Sequence, residues 1–147
     1  MLGVLVKSVG EINLALLLPH EEVEREKVNE LLLDIKKNGL RNPIVVAPYQ
    51  GKYLIVDGHH RVEAFNLLKR KRIKAIIIDY FAPRLKAINW KNGKEFDKKE
   101  IIRLAFKGKK FKPKTTKHLI IYEGEKFHVS ILSKLVGQTS TKKISEF

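Results

Sequence analysis

The sequence predicts an α+β fold in which helices flank a small mixed sheet. Strand-like apolar runs and amphipathic helical segments are interspersed along the 147 residues, without an internal repeat. Two of the strand-like runs are joined by a tight turn, and such hairpins are typical of α+β folds rather than of doubly wound parallel sheets. We expect residues 1–82 to form the core and residues 83–147 a short C-terminal lobe packed on the same core.

The first elements are two short strands and a helix. The apolar runs Val4–Val9 and Leu14–Leu18 predict strands, and Pro19 ends the second. A helix is predicted from about Glu22, because apolar residues recur there at intervals of three and four residues. Gly39 follows two lysines and is the predicted end of this helix.

The central part of the chain predicts a hairpin, a helix and a strand. The β-rich runs Pro43–Pro48 and Lys52–Val56 flank a Tyr-Gln-Gly turn. The apolar spacing then predicts a helix from about His59 to Lys69, and the run Ala75–Tyr80 predicts a further strand.

Beyond Pro83 the pattern changes to shorter elements. A strand is predicted at Ile88–Trp90, and Asp97 with Glu100 forms a capping-box pattern before the next apolar run. The remaining predicted elements are a helix at Ile101–Phe106 that ends at Gly108, a loop at Lys109–His118, a strand at Leu119–Tyr122, a short helix at Val129–Val136 and a loose tail from Gly137.

The composition excludes several classes of function. Without any cysteine, the chain can form no disulfide, thiolate nucleophile or Cys-based zinc site. No apolar run approaches the roughly 20 residues that span a bilayer. The apolar N-terminus is interrupted by Lys7 and Glu11 and lacks the pattern of a signal peptide. We therefore expect a cytoplasmic protein with no membrane partner.

The charge is strongly basic. Lys and Arg number 30 against 16 acids, a formal net charge of +14. Such an excess favours polyanions, either nucleic acid or phosphorylated small molecules. A Lys-rich chain with one Met and no Cys is also typical of hyperthermophilic proteins, in which much of the charge is solvated surface.

The turn DGHHR lies where the second hairpin strand meets the next helix. Backbone N–H groups and the helix dipole favour a phosphate there. Gly58 allows close approach, Arg61 can bind phosphate oxygens in pairs, and His59 or His60 can donate hydrogen bonds. Asp57 suits a carboxylate beside Mg²⁺ or a base. A capped helix with solvated histidines stays open, whereas zinc is disfavoured because adjacent helical side chains diverge.

Two further segments carry polar chemistry. Either Glu21 or Glu22, just after Pro19, points into a cleft as a general base, or both stabilise the first turn of a helix. The segment KPKTTKH (Lys112–His118) forms an anion cradle or a basic surface loop. The chain has no Walker-type or kinase Gly-rich loop, so a nucleotide must be held by the DGHHR turn. Trp90, the single tryptophan, is more typical of a core residue than of a ligand platform.

These motifs resemble the ParB/sulfiredoxin superfamily across Pro19–Tyr80. The shared order is a strand bounded by proline, a helix ending at glycine, a "PI-V" hairpin and a G-x-x-R turn that opens a helix. In that superfamily the turn binds nucleotide phosphates. Sulfiredoxins need a cysteine in this turn, so the absence of cysteine excludes sulfinic-acid repair. Partition proteins of the ParB class usually read GxRR there and continue into a helix-turn-helix domain.

The sequence is more similar to the archaeal free-serine kinases of this superfamily. The similarity is carried by "PHE" (Pro19–Glu21), "YLIVDGHHR" (Tyr53–Arg61), "DYF" (Asp79–Phe81), the later Trp90 and "PKTTKH" (Pro113–His118). It covers nearly the whole chain. It implies a nucleotide-binding core over residues 1–82 and a substrate-binding lobe over residues 83–147. It also implies transfer of a nucleotide's terminal phosphate to the hydroxyl of free L-serine.

The resemblance implies a role for each motif residue. Glu21 is the general base, and Asp57 assists near the metal or the serine hydroxyl. The nucleotide phosphates are assigned to Gly58, His59, His60 and Arg61. The serine or the product phosphate is assigned to Trp90, Lys114, Thr115, Thr116, Lys117 and His118. The implied cofactors are ATP or ADP with Mg²⁺, and no metal ligand is assigned.

Two departures from the family leave the donor nucleotide open. Lys117 stands where the family usually has Arg, which keeps the charge and loses the bidentate geometry. The connection between Trp90 and Pro113 is shorter than in larger relatives. ATP is favoured over ADP as donor, although no residue decides between them.

Two other functions compete with the kinase. The basic charge and the superfamily turn fit a ParB-like module that binds nucleic acid or CTP. A nucleotide-binding regulator that kept the fold and lost the catalysis is the third alternative. The sequence does not indicate the oligomeric state.

Overall fold

The computed structural model describes residues 5–40 and 42–137 and shows an α+β fold. The helices are α1 (Arg25–Asn38), α2 (His59–Leu67), α3 (Lys98–Phe106) and α4 (Ile131–Gly137). The strands are β1 (Val6–Asn13), β2 (Leu17–Leu18), β3 (Ile44–Tyr49), β4 (Lys52–Asp57), β5 (Arg72–Ile78), β6 (Leu85–Asn89), β7 (Thr116–Tyr122) and β8 (Glu125–His128). The predicted fold class is confirmed.

The larger sheet is mixed, as predicted. Its strand order is β1-β5-β3-β4-β2, with antiparallel pairs β1–β5 and β3–β4 and parallel pairs β3–β5 and β2–β4. A second, antiparallel sheet has the order β6-β7-β8. The parallel pairing of β2 with β4 brings the segment after β2 beside the turn after β4, since both strands end at the same edge of the sheet.

The larger sheet is covered on both faces because its central strands are apolar on both sides. Val45 and Ala47 of β3 pack in a cluster that also contains residues of α3, α4 and the smaller sheet. Ile44 and Val46, which alternate with them, pack in a second cluster with residues of α1 and α2. This alternation follows the two-residue period of a strand and fixes its register.

The hairpin and the end of α1 form for the reasons that the sequence indicates. Gln50 and Gly51 both have positive φ, 46° and 80°, which is the geometry of the two-residue turns that suit the twist of antiparallel strands. Gly39 has a φ of 74°, and its N–H donates to the carbonyl of Ile35 at 2.8 Å. A glycine adopts this conformation at little cost and so ends the helix.

The helix α3 has only half of the predicted capping box. The Asp97 side chain accepts a hydrogen bond from the backbone N–H of Lys99 at 2.9 Å, as an N-cap should. The Glu100 carboxylate pairs with Arg103 one turn later along the helix. An arginine at that spacing offers a charged partner, which competes with the backbone N–H of Asp97.

Other predicted boundaries are corrected by local hydrogen bonds. The run Leu14–Leu18 is a short 3₁₀-helix, Leu14–Leu16, followed by two strand residues, because the Asn13 side chain accepts from the N–H of Ala15. The predicted loop Lys109–His118 ends sooner, since β7 begins at Thr116. The strand β8 was not predicted, because charged residues mask its alternation. The predicted tail begins at Gly137, which is instead the last residue of α4, and its remainder from Gln138 onward lies outside the described residues.

The predicted division at residue 82 remains a prediction. One apolar cluster contains Val45 and Ile76 from before this point and Ile101 and Leu132 from after it. The segments on either side therefore share a core. Over residues 5–40 and 42–137, no helix is long and apolar enough to cross a membrane.

Candidate active site

Three segments that are distant in the sequence meet around one cavity of about 680 Å³. They are the segment after β2, the turn from β4 into α2, and the segment that enters β7. The predicted site residues that line the cavity are Glu21, Asp57, Gly58, His59, His60, Arg61, Trp90, Lys114, Thr116 and His118. Thr115 and Lys117 do not line it.

Glu21 joins the first segment to the third. Its Oε1 accepts a hydrogen bond from the backbone N–H of Lys114 at 3.0 Å, and its Oε2 accepts from the backbone N–H of Thr116 at 3.0 Å. The Thr116 hydroxyl also donates to Oε2. Backbone pairing with Phe111 holds the same segment from outside, through the N–H of Glu22 and the carbonyl of His20. Of the two candidate bases, Glu21 lines this cavity.

A hydrogen bond that the sequence did not indicate lies behind Glu21. The Nε2 atom of the buried His20 is 2.9 Å from the Thr116 hydroxyl oxygen. Burial lowers the pKa of His20 to about 4, and the backbone of Ile55 partly opposes this effect. The ring is therefore neutral at neutral pH.

Gly58 is required at the start of α2 for steric reasons. Its φ is 112°, a conformation that other residues rarely adopt. A Cβ atom at this position would lie 2.6 Å from the Ile44 side chain and 3.2 Å from the Arg61 guanidinium. The residues of the first turn of α2 line the cavity, and N–H groups of a first turn have no partner within their own helix.

The Arg61 guanidinium binds the protein itself in this structure, and its role as a fork onto phosphate oxygens remains a prediction. Its NH1 donates to the carbonyls of Asn42 and Pro43, both at 2.9 Å. Its NH2 donates to Asp57 Oδ2 at 2.9 Å in a half-buried ion pair. Arg61 therefore fixes the turn, and only Nε and the second hydrogen of NH2 stay outside these three bonds.

The two adjacent histidines of the turn act as acceptors at Nε2. His59 Nε2 accepts from the backbone N–H of His20 at 3.1 Å, and His60 Nε2 accepts from the backbone N–H of Glu24 at 3.0 Å. These bonds tie α2 to the segment after β2. They place the proton of each neutral ring on Nδ1, so a ligand can receive a hydrogen bond from these rings only at that nitrogen.

All five histidines of the chain line the cavity: His20, His59, His60, His118 and His128. The rings of His59 and His118 flank that of His20 in edge-to-face contacts, with centroids 4.7 and 5.5 Å away, and these three rings form a histidine column. Burial lowers the pKa of His59 and of His118 well below the usual value, and the neighbouring His20 lowers both further. The histidine column is uncharged, and the Tyr80 hydroxyl lies 2.8 Å from His118 Nε2 at its inner end.

Trp90 lies at the rim of the cavity and is 44% exposed, so it is not the core residue that a lone tryptophan favours. The Lys117 ammonium lies 4.5 Å from the centre of its ring, a cation–π distance. The centre of the His128 ring lies 6.3 Å from that of Trp90. Lys117 does not line the cavity itself, but it contacts the ring of Trp90, which does.

Thr115 and Lys114 shape the loop that enters β7. The Thr115 hydroxyl donates to the carbonyl of Lys112 at 2.7 Å and turns the loop locally. Lys114 has a φ of 58°, which directs its N–H toward Glu21. The Thr115 hydroxyl thus makes a contact within the loop, and its contact with a substrate remains a prediction.

The described residues hold no protein-only metal cage. Within residues 5–40 and 42–137, no three His, Asp or Glu side chains are grouped to bind a metal ion. The zinc alternative for the DGHHR turn therefore has no ligand set among these residues. Carboxylates do line the cavity singly: Glu21, Glu30, Asp34 and Asp57.

Sequence reasoning missed several lining residues. His20 stands inside the PHE motif, where its burial beside Thr116 was not visible. His128 lies at the end of the unpredicted β8. The cavity face of α1, with Lys27, Glu30 and Asp34, follows a helical spacing of three and four, which could have marked one polar face.

Comparison with known families places this fold in a class. Residues 6–89 match the family described as "ParB N-terminal domain". The match covers more than half of the 147 residues, and the chain belongs to this family.

Individual relatives carry more specific names. An "ATP-dependent L-serine kinase" from Staphylothermus marinus is 46% identical over 77 residues, which are 50% of this chain and 31% of the relative. An "ADP-dependent L-serine kinase SerK" from Thermococcus kodakarensis is 31% identical over 87 residues, 57% of this chain and 36% of the relative. The matched region is thus about a third of the length of these curated relatives.

A solved structure named "Free serine kinase in complex with AMP" superposes over most of the chain. The TM-score is 0.70, with 18% identity, and the superposition covers 86% of this chain and 94% of the other. At this identity the likeness shows the shared fold, including the region after the family match.

Proposed function

We propose that the chain is a free L-serine kinase that transfers the terminal phosphate of ATP or ADP to the serine hydroxyl and yields O-phospho-L-serine. The observation that carries this proposal is the position of Glu21. Its carboxylate lines the cavity into which the first turn of α2 opens, and the segment that enters β7 holds it in place. The names of the relatives support the same reaction.

The nucleotide phosphates fit the start of α2. The first-turn N–H groups and the positive end of the helix dipole favour an anion, and Gly58 leaves room for its approach. Arg61 contributes mainly by fixing this turn, since three of its donors are engaged within the protein. Lys27 and Lys114 add positive charge at the wall of the cavity.

Glu21 is the proposed general base. Each carboxylate oxygen has two lone pairs, and Oε1 accepts one hydrogen bond whereas Oε2 accepts two. Oε1 can therefore receive the serine hydroxyl. As the serine oxygen bonds to the terminal phosphorus, the bond from that phosphorus to the bridging oxygen breaks, and the hydroxyl proton passes to Glu21.

Mg²⁺ fits the carboxylates of the cavity. This ion is usually held by one or two carboxylates together with substrate phosphates and waters, so a protein-only cage is not needed. Asp57 would hold it, because Oδ2 is bound by Arg61 and Oδ1 takes no part in that ion pair. When bound, the ion neutralises charge on the phosphates.

The serine fits between Glu21 and the rim. Trp90 with Lys117 behind its ring forms one wall, and Thr116 and His118 of β7 form another. We therefore assign nucleotide binding to the core before residue 82 and serine binding mainly to the lobe after it. The reaction belongs in the cytoplasm, where free serine and nucleotides occur.

The proposal is tested by incubating the protein with free serine, Mg²⁺ and either ATP, ADP or CTP, and measuring phosphoserine by mass spectrometry. We expect phosphoserine with ATP or ADP. Duplex DNA binding with a steep salt dependence and no phosphoserine would instead support a nucleic-acid module. Nucleotide binding without phosphoserine would support a regulator that lost catalysis. Either result contradicts the kinase.

A further inference from the structure

Three side chains form a hydrogen-bonded line from the interior of the protein to the cavity. His20, only 1% exposed, lies 2.9 Å from the Thr116 hydroxyl through Nε2. The Thr116 hydroxyl in turn lies against Glu21 Oε2. The proposed function gives no role to His20, and it does not depend on which groups donate in these two hydrogen bonds.

The direction of the line follows from the number of protons. A threonine hydroxyl has one proton, and an ionised carboxylate can only accept, so this proton is donated to Glu21. The His20 Nε2 atom must then donate its own proton to the hydroxyl oxygen. Nδ1 is left as the unprotonated nitrogen of the neutral ring.

Packing alone does not explain a histidine at this position. His20 Nδ1 is buried and has no close hydrogen-bond partner among the described residues, and a weaker hydrogen bond between the ring and the Ile55 backbone partly opposes the lowering of the pKa by burial. A buried acceptor without a partner costs free energy, and a phenylalanine ring of similar shape would avoid that cost. The close polar contact of the ring, at 2.9 Å, is the one to Thr116.

The line cannot carry a proton away from Glu21. A proton that moved from Glu21 through the hydroxyl would have to arrive at His20 Nε2, which already carries one. The contribution of the line is therefore orientation. It keeps the hydroxyl on Oε2, so that Oε2 is fully occupied and Oε1 is the oxygen left for a substrate.

We propose that His20 is a positioning residue, which donates from Nε2 to Thr116 and thereby fixes the Glu21 carboxylate with Oε1 directed at the serine hydroxyl. The inference rests on the proposed kinase function for its catalytic consequence. The hydrogen-bond direction itself does not depend on that function.

The kinetic test compares variants that keep or remove the donor. His20→Gln can place an amide N–H near the position of Nε2, whereas His20→Asn is too short to do so and His20→Phe has no donor. Thr116→Val removes the hydroxyl and keeps the shape. We expect kcat for phosphoserine formation to fall roughly tenfold in the Phe, Asn and Val variants and to be largely retained in the Gln variant, with KM values within about twofold of wild type in the three His20 variants.

A double-mutant cycle separates positioning from a merely structural effect. If His20 acts through Thr116, the combined change of His20→Phe and Thr116→Val lowers kcat no further than either single change. Thermal unfolding of each variant shows whether it is folded. Additive losses in the cycle, or a wild-type kcat in folded His20→Asn and Thr116→Val proteins, would overturn the proposal.

A second readout does not require activity. Nitrogen NMR of the imidazole rings, assigned through His20→Gln, should show His20 as neutral with its proton on Nε2. A proton on Nδ1 overturns the positioning role even in an active enzyme. A wild-type protein that has the Nε2 tautomer but makes no phosphoserine contradicts the proposed function instead, and the hydrogen-bond direction then stands.

Discussion

The turn into α2 and the segment entering β7 both contribute polar groups to one cavity. They differ in whether their side chains or their backbone groups are engaged in hydrogen bonds. In the turn, the side chains of Arg61, His59 and His60 are bound to backbone groups of the protein. In the segment entering β7, backbone N–H groups of Lys114 and Thr116 are bound to a side chain, the Glu21 carboxylate.

Under the proposed function, this difference favours different ligand groups at the two regions. The turn leaves its backbone N–H groups at the start of the helix for an anion, since its charged side chains are already engaged. The β7 segment presents the side chains of Thr116 and His118 at the cavity, with the Thr116 hydroxyl bound to Glu21 and the His118 ring against the Tyr80 hydroxyl. Under the proposed function, the phosphate binds at the turn and the serine lies beside the β7 segment.

Acidification should have the largest effect, because it acts on both regions. The pKa values of His59 in the turn, His118 in the segment and His20 between them are all lowered in the folded protein, mainly by burial. As the pH falls below about 6.5, the unfolded chain binds protons first. The free energy of unfolding is thus complete above that pH and declines as the pH falls toward about 4, the folded pKa of His20.

Each such histidine contributes a slope of about 1.4 kcal/mol per pH unit in this window. Urea unfolding between about pH 7.5 and 4.5 measures the total. The His20→Phe variant should lose one histidine's share of the slope. A free energy of unfolding that is constant between about pH 7 and 5 would show that the histidine column is solvated in the folded protein and has ordinary pKa values.

Gly58→Ala should be the next largest effect and is confined to the turn. Its Cβ would lie 2.6 Å from Ile44, and the backbone conformation is unfavourable for alanine. We expect a loss of about 3 kcal/mol or more in the free energy of unfolding, together with weaker nucleotide binding. Both are measured by urea unfolding and by calorimetric titration with ADP.

Gly51→Ala is the matched control for that change. Gly51 also has positive φ, 80°, but a Cβ atom at this position would have no neighbour within 4 Å among the described residues. Only backbone strain remains, which costs about 1 kcal/mol. Equal losses in the two variants would mean that the close approach to Ile44 has no importance.

Arg61→Lys tests whether the turn depends on the three bonds of the guanidinium. A lysine keeps the charge, but its single ammonium cannot serve both carbonyls and Asp57 in the same geometry. We expect a loss of about 1–3 kcal/mol in the free energy of unfolding. Arg103→Lys, which changes an exposed pair with Glu100, should lose much less than Arg61→Lys. If the two variants are equally stable, Arg61 is not a structural residue.

Lys117→Met should have the smallest effect and is confined to the β7 side. It removes the ammonium above the Trp90 ring, a contact worth about 0.5–1 kcal/mol at an exposed site. Because Trp90 is the only tryptophan, its fluorescence reports the change directly. The exposed Lys126→Met of the same small sheet is the control. An unchanged emission spectrum in Lys117→Met would show that the Lys117 ammonium does not contact the Trp90 ring.

The sequence predicted the elements whose causes are local. Gly39, the hairpin turn and the Asp97 cap depend on neighbouring residues, so their patterns indicate them. The ten lining residues that were predicted come from the motifs that carry the family resemblance, and the cavity groups them. Their individual contacts were not predictable in the same way, because they join residues far apart in the chain.

The role of Arg61 illustrates this limit. An arginine in a glycine turn has the same sequence pattern whether it faces a ligand or the carbonyls of Asn42 and Pro43. The bond between His20 and Thr116 spans 96 positions, and no local period signals it. Tertiary packing decides such contacts, and propensity does not.

Serine-dependent consumption of the nucleotide, measured together with phosphoserine, is the most direct test of the central claim that these segments form a kinase site around Glu21. Wild-type protein should form one phosphoserine for each nucleotide consumed and should consume little without serine. Glu21→Gln should lower kcat by about a hundredfold or more while the folded protein still binds nucleotide. No phosphoserine from the wild type, or an equally active Glu21→Gln variant, would contradict the account.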